Sequence, residues 1–312
     1  MLVTWKLWRA LRNPPLAGHA VFRRVATAPS FFQFRWSFKL SDRMIWIAIL
    51  PIALYLIHRF GFSGILIVFF GIPAAIIITI LTTPLALPVI AGLMSSFWAA
   101  SITHALVKER QTHTYDLLCA TPDGMLGTNW AIASGCLHQG GIFSALRTVM
   151  IAALLLGGLV LGLLLLVTVV LVLRANPAGT IIIAVRTIFD IVVILTLFYA
   201  HFVQSIVLAV LVGVFVPTHL QNRTDAPWVA FLFTAALQVG TVLIFYFFLM
   251  LIGPIVGMLT PETPLPYVGV PFVFLLFFLI LRDAVVLWLW EAITFRLNAD
   301  SAEREYLIRL FS

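Results

Sequence analysis

The sequence predicts an all-α integral membrane protein, a polytopic helix bundle of about six spans with an N-terminal interfacial helix and one re-entrant segment, and three observations lead there. Of its 312 residues 62% are hydrophobic and only 10% charged, against about 25% charged in soluble domains. Residues 148–173, TVMIAALLLGGLVLGLLLLVTVVLVL, carry no ionisable side chain, and roughly 20 apolar residues suffice to cross a bilayer core. Basic residues are also concentrated: eight of the nineteen Lys and Arg lie within residues 1–43, where Asp42 is the sole acid. Such basic flanks stay on the cytoplasmic side and favour anionic lipid headgroups. The net charge of +7 is therefore read as orientation, with membrane lipids and not nucleic acid as its counterpart. A bacterial plasma membrane is the expected location, with both termini cytoplasmic.

Taken in order, residues 1–43 form a basic interfacial segment. Val3, Leu7 and Leu11 repeat every four residues opposite Lys6, Arg9 and Arg12, the pattern of a helix lying on a surface. Trp5 and Trp8 suit the headgroup region, and Pro14-Pro15 stops the helix. A second interfacial stretch, 31–43, spaces Arg35, Lys39 and Arg43 beneath aromatics. No long apolar core with a small-residue cleavage site follows, so no cleavable leader is expected.

A transmembrane domain is expected over 44–290 and a polar, helically patterned cytoplasmic tail over 291–312. Residues 44–107 hold three candidate segments, 44–59, 62–81 and 84–107, separated by His58-Arg59 and Thr82-Thr83-Pro84. If both flanks face the cytoplasm, the number of crossings between them is even, so one segment dips in and returns or lies in the interface. Further spans follow at 142–173, 181–216, 229–258 and 268–290. The loops between them are 174–180, 217–228 and 260–267. Alternation puts 217–228 and the tail inside, and Arg223, Arg296, Arg304 and Arg309 then fall on the cytoplasmic side, as the positive-inside rule requires. Gly158/Gly162 and Gly253/Gly257 have the spacing that lets helices approach closely.

One polar stretch differs from a plain connector. Residues 108–122, KERQTHTYDLLCATP, place Tyr115, Leu117 and Leu118 among charges. On residue types alone two readings stand level. A short helix presents both leucines on one side and offers Glu109, Arg110 and Asp116 for ion pairs with a protein partner, or the same helix rests its leucines in the acyl boundary.

The stretch resembles the cytoplasmic coupling segment of ABC-2 type transporter permeases, whose pattern is E-R-E-x-G-T-x-E-L-L-x-x-T-P. Glu109, Arg110, Thr114, Leu117, Leu118, Thr121 and Pro122 match it, with Asp116 for the second acid. Gln111 replaces an acid and His113 the glycine, and an extra hydrophobic segment within 44–81 departs from the family layout. The resemblance implies a permease half of an exporter, paired with a second permease chain, identical or different, and driven by a separate ABC ATP-binding subunit that holds the ATP and Mg. In that reading Leu117 and Leu118 are apolar anchors and Glu109 and Arg110 ion-pair partners. The chain lacks any Gly-Lys dipeptide and so has no P-loop of its own; no cofactor and no enzymatic activity are expected in it. A non-transporting scaffold or assembly subunit of a larger complex is the alternative.

Four further charges lie inside predicted spans, where a charge is costly and turns to the protein interior or a water-filled path. Arg186 and Asp190 are four apart and can pair on one helix face. Arg282 and Asp283 are adjacent, cannot face each other, and need partners elsewhere. All four are candidate intramembrane polar sites. His104 and His201 lack a second ligand at helical spacing and read as hydrogen-bonded structural residues rather than ligands of haem or metal. Cys119 and Cys136, seventeen apart without a CxxC pair, read as reduced thiols.

Overall fold

The computed structural model describes residues 3–14, 19–28, 72–112, 114–120, 124–175, 177–220, 222–259 and 265–299. The expectations for 31–43, for 44–71, for Thr121 and Pro122, for loop 260–264 and for tail 300–312 lie outside the described residues. Two compact units are distinguished, residues 1–31 with 87–312, and residues 32–86. Of the second, the described residues are 72–86, all helical.

All described elements are helical. They are α1 (Val3–Arg12), α2 (Ala20–Thr27), α3 (Ile72–Gln111), α4 (Thr114–Cys119), α5 (Gly124–His138), α6 (Ile142–Ala175), α7 (Pro177–Phe215), α8 (Asp225–Leu259) and α9 (Leu265–Arg296). Five stretches among the described residues are long and apolar enough to cross a membrane: Ile90–Gln111, Ile142–Leu159, Thr187–Thr218, Asp225–Ile252 and Pro271–Arg296. Their outer faces carry large apolar side chains in the open, such as Leu155 at 70% and Met250 at 79% exposure. Water does not support such surfaces, whereas hydrocarbon does, and helices satisfy their backbone groups internally there.

α7 is the hub of the larger unit. It packs on α9, α6, α1, α8 and α5, and residues 201–212 are buried without interruption. α3 meets it at Gly213, where Thr103 donates its hydroxyl to the Gly213 carbonyl at 3.1 Å. A Cβ on Gly213 would sit 2.8 Å from Ile102 Cβ and 3.1 Å from the Ala99 carbonyl oxygen.

The structure corrects several boundaries. Helical backbone runs through Thr82-Thr83-Pro84, which the sequence reading treats as a break between segments. Of the expected 174–180 turn, residues 174–175 belong to α6 and 177–180 to α7, which Pro177 opens; proline is pre-set for the first helical position. Most consequential is α5, an element the sequence reading leaves out by passing from 122 to 142. All twelve residues from Leu126 to Leu137 are buried. At about 1.5 Å per residue α5 is roughly 22 Å long, too short for a bilayer core of about 30 Å. It is enclosed by α2, α4, α6 and α7. α2 comes close because residue 135 is glycine: a Cβ there would lie 3.1 Å from Val25 Cβ.

α1 has the expected amphipathic pattern but buries its apolar face in protein. Leu7 is 2% and Leu11 0% exposed, against α7 and α9. Trp8, expected among headgroups, lies edge-on between Phe143 and Phe202 at ring distances of 5.8 and 5.9 Å. Trp5 stays partly exposed beside Tyr199.

α9 ends in a defined stop. Ala299 N donates to the Thr294 carbonyl and Asn298 N to the Phe295 carbonyl, with Asn298 at φ 46°. This is the Schellman arrangement, which needs a residue tolerant of left-handed backbone. Asn298→Val should cost about 1–2 kcal/mol, the penalty of that backbone for an ordinary residue, while Asn298→Gly stays neutral. Thermal melts of the purified variants check the pair.

Candidate functional site

The segment expected to couple to a partner is anchored at its base and open at its tip. α3 ends by delivering Glu109 and Arg110 into a corner formed with α2, α4, α5 and the end of α7. Glu109 accepts from Arg24 of α2 at 2.7 Å and from the Thr114 hydroxyl at 2.6 Å. Arg24 is half-exposed, so that ion pair contributes about 0–1 kcal/mol. Arg110 donates to the Pro217 carbonyl, one of the acceptors a helix end leaves unpaired. Its guanidinium also lies 4.8 Å from the Tyr115 ring centre, a cation–π contact. Asn129 of α5 donates to the Tyr115 hydroxyl at 2.8 Å and to the Met125 carbonyl. Burial pushes the Tyr115 phenol above its ordinary pKa, with the nearby Arg110 charge pulling it back in part. The same hydroxyl also accepts from Arg110 Nη2 at 3.5 Å.

This geometry revises the expected roles. Glu109 and Arg110 are bonded within the chain, tying α3 to α2 and to the end of α7, and Arg110 also lines an open cleft. The two leucines do not share a side. Leu118 packs against the core, and the Leu118 carbonyl accepts from Thr128 at 3.0 Å. Leu117 is 75% exposed. At 100° per residue, 115 and 118 share a face and 117 turns away from it. Tyr115, grouped in the sequence with the leucines as one apolar patch, is instead the buried pivot. Thr114 is half-buried, and Asp116 is exposed on a cleft of about 660 Å³. Arg110, Gln111, Tyr115, Asp116, Met125, Thr218, Arg296 and Leu297 line that cleft. Sequence reasoning missed Arg24 and Asn129, which are distant in sequence and carry no local signal.

The second polar assembly centres on Arg282, fully buried on α9. It donates to His201 Nδ1 and, at 3.2 Å, to Ser205 Oγ, both on α7, and to Gln238 Oε1 on α8. Phe278 lies beneath the guanidinium at 5.5 Å. Gln238 passes the connection on to Ser95 of α3. Accepting at Nδ1 requires His201 to be neutral with its proton on Nε2. Asp283 points the other way: its carboxylate accepts from the Thr4 backbone N–H at 3.0 Å and from the Thr4 hydroxyl. An anion thus caps the N-terminus of α1, where helix N–H groups are unpaired. The partners that Arg282 and Asp283 need are found on other helices of the same chain. Asp190 is half-buried on α7; the side chain of Arg186 lies outside the described residues, and so does the expected pairing. Gly158 faces Leu195 of α7 at ordinary contact distance, while Gly162 faces open space. Neither Cys119 nor Cys136 is joined in a disulfide.

The all-helical architecture, with five apolar helices of spanning length among the described residues, defines a helical membrane protein. No family model, no curated protein and no solved structure matches the chain.

Proposed function

We propose that the chain is the membrane-spanning subunit of an ABC-2 type exporter, moving its substrate when a separate ATP-binding subunit binds and hydrolyses ATP. The observation that carries this reading is the form of 108–120. Its tip exposes Leu117 and Asp116, while its base is fastened to α2, α5 and the end of α7. A force applied at the tip is delivered to the ends of two apolar helices, which is what a coupling element has to do. The motif resemblance supplies the family, the chain's lack of a P-loop supplies the need for a partner, and two permease chains would pair. In the same reading the protein lies in the bacterial plasma membrane with cytoplasmic termini. It makes six crossings, with one re-entrant or interfacial piece before residue 108.

The test is a mild-detergent pull-down of the tagged chain from its native membrane, with mass spectrometry of what comes along. A subunit with Walker motifs is expected at near-equal amount. Leu117→Asp should reduce its retention roughly tenfold, the loss of about 1.4 kcal/mol of binding free energy, without changing membrane insertion. Leu118→Asp is a poor probe because it also unpacks the core. A stable set of partners without an ATPase would replace this reading with that of a scaffold subunit.

A further inference from the structure

We infer that the surface presented to the ATP-binding subunit extends beyond the coupling segment to the end of α9, with Phe295 and Arg296 as its second half. This rests on the exporter reading and names a further part of the same partner's footprint. The cleft beside α4 has two walls. Gln111, Tyr115 and Asp116 form one, and Arg296 and Leu297, at the end of α9, form the other. Leu117 follows Asp116 in the chain and Phe295 precedes Arg296, and both are large apolar side chains turned outward, each 75% exposed.

On the flanks of the apolar helices such exposure is met by hydrocarbon. Here the surroundings are polar: Lys108, Gln111, Thr112, Asp116, Arg296 and Asn298 are all exposed. Two exposed apolar side chains, each next in the chain to a residue of the cleft wall and set among polar groups, have the character of binding anchors rimmed by charge. Arg296 and Asp116 make no ion pair among the described residues, unlike Glu109 and Arg110, which are occupied. The complementary partner surface has two apolar recesses, with a carboxylate to meet Arg296 and a basic group to meet Asp116. The Schellman turn at 294–299 fixes Phe295 and Arg296 relative to α9. α9 in turn carries Arg282 and its bonds to α7 and α8. A partner gripping both side chains would therefore act on the bundle through two helices, α3 and α9.

The experiment uses the full-length tagged chain in its native membrane, comparing wild type, Leu117→Asp, Phe295→Asp and Arg296→Glu in the pull-down. Phe295→Asp and Arg296→Glu should each lower retention of the ATP-binding subunit, Phe295→Asp by about tenfold, as expected for an anchor residue. Phe295→Leu should restore most of it. A Phe295→Cys chain carrying a benzophenone label should photocrosslink to the ATP-binding subunit, which reports contact even if the aspartate variant folds poorly. Wild-type retention of the subunit, lost in Leu117→Asp but unchanged in Phe295→Asp and Arg296→Glu, would leave the exporter reading standing and overturn this one. Crosslinks to lipid alone would do the same. No ATP-binding subunit with the wild type would remove both.

Discussion

Arg282→Ala should be the most damaging single substitution in the apolar helices, costing about 2–5 kcal/mol, the range for truncating a long buried side chain to alanine. The residue is fully buried, yet its partners are all neutral: a histidine nitrogen, a hydroxyl and an amide oxygen. Hydrogen bonds from a charged donor contribute about 1.5–3 kcal/mol each, and truncation leaves a void as well. Ser205 keeps its bond to the His201 carbonyl at 2.6 Å, and Gln238 keeps Ser205. The His201 ring loses the Arg282 contact. Arg282→Met should cost about half as much, because it fills the volume and removes a charge that is expensive to hold away from water. Arg282→Lys restores the charge, but its compact ammonium cannot reproduce the fork that spans two helices. Thermal denaturation in detergent, followed by the monodisperse fraction, gives the ranking. An alanine variant within about 1 kcal/mol of wild type would mean the network is dispensable.

The second large effect is expected at Gly213. Glycine within a helix costs about 1 kcal/mol relative to alanine, so its use inside α7 needs a reason, and α3 supplies one. A new Cβ would stand 2.8 Å from both Cβ and Cγ2 of Ile102, against an optimum of about 3.5–4.0 Å. Ile102 cannot swing its own Cβ aside, so the helices must separate by about 1 Å, which also strains the Thr103 bond to the Gly213 carbonyl. Gly213→Ala should thus lose about 1–3 kcal/mol despite the better helix propensity, and Gly213→Leu more. Gly240→Ala is the control: nothing lies within 4 Å of its added Cβ, so it should be neutral or gain up to about 1 kcal/mol. Equal melting temperatures for the two alanine variants would contradict the close approach of α3 and α7.

Hydropathy made the long helices legible because their signal is summed over twenty or more residues. α6, α8 and α9 lie close to where uninterrupted apolar runs put them. α5 escaped because it has no contrast to detect. Residues 124–138 mix Gly, Thr, Asn and Ser with apolar residues, and every side is covered, so neither an amphipathic period nor a spanning length marks it. The separate polar needs of Arg282 and Asp283 could be read from their adjacency, but not which helices would meet them. The same limit applies to the coupling segment. Its residue types suggested open ion pairs, while Glu109 and Arg110 were claimed by Arg24, Tyr115 and Pro217, groups brought near only by the fold. For Trp8 the interfacial pattern was sound, but Phe143 and Phe202 provided a protein surface that competed with lipid.

The Thr4–Asp283 contact also sets an order of events during synthesis. The two residues are 279 positions apart, and ribosomes add about 5–20 residues per second. α1 leaves the ribosome before α9 and therefore waits on the order of tens of seconds for the carboxylate that will cap it. Until α6 and α7 follow, Leu7, Trp8 and Leu11 have no protein face to cover them, and the bilayer surface is the apolar shelter at hand. A surface-lying helix is thus the form expected of α1 in the nascent chain, exchanged for a protein-packed one as α6, α7 and α9 follow.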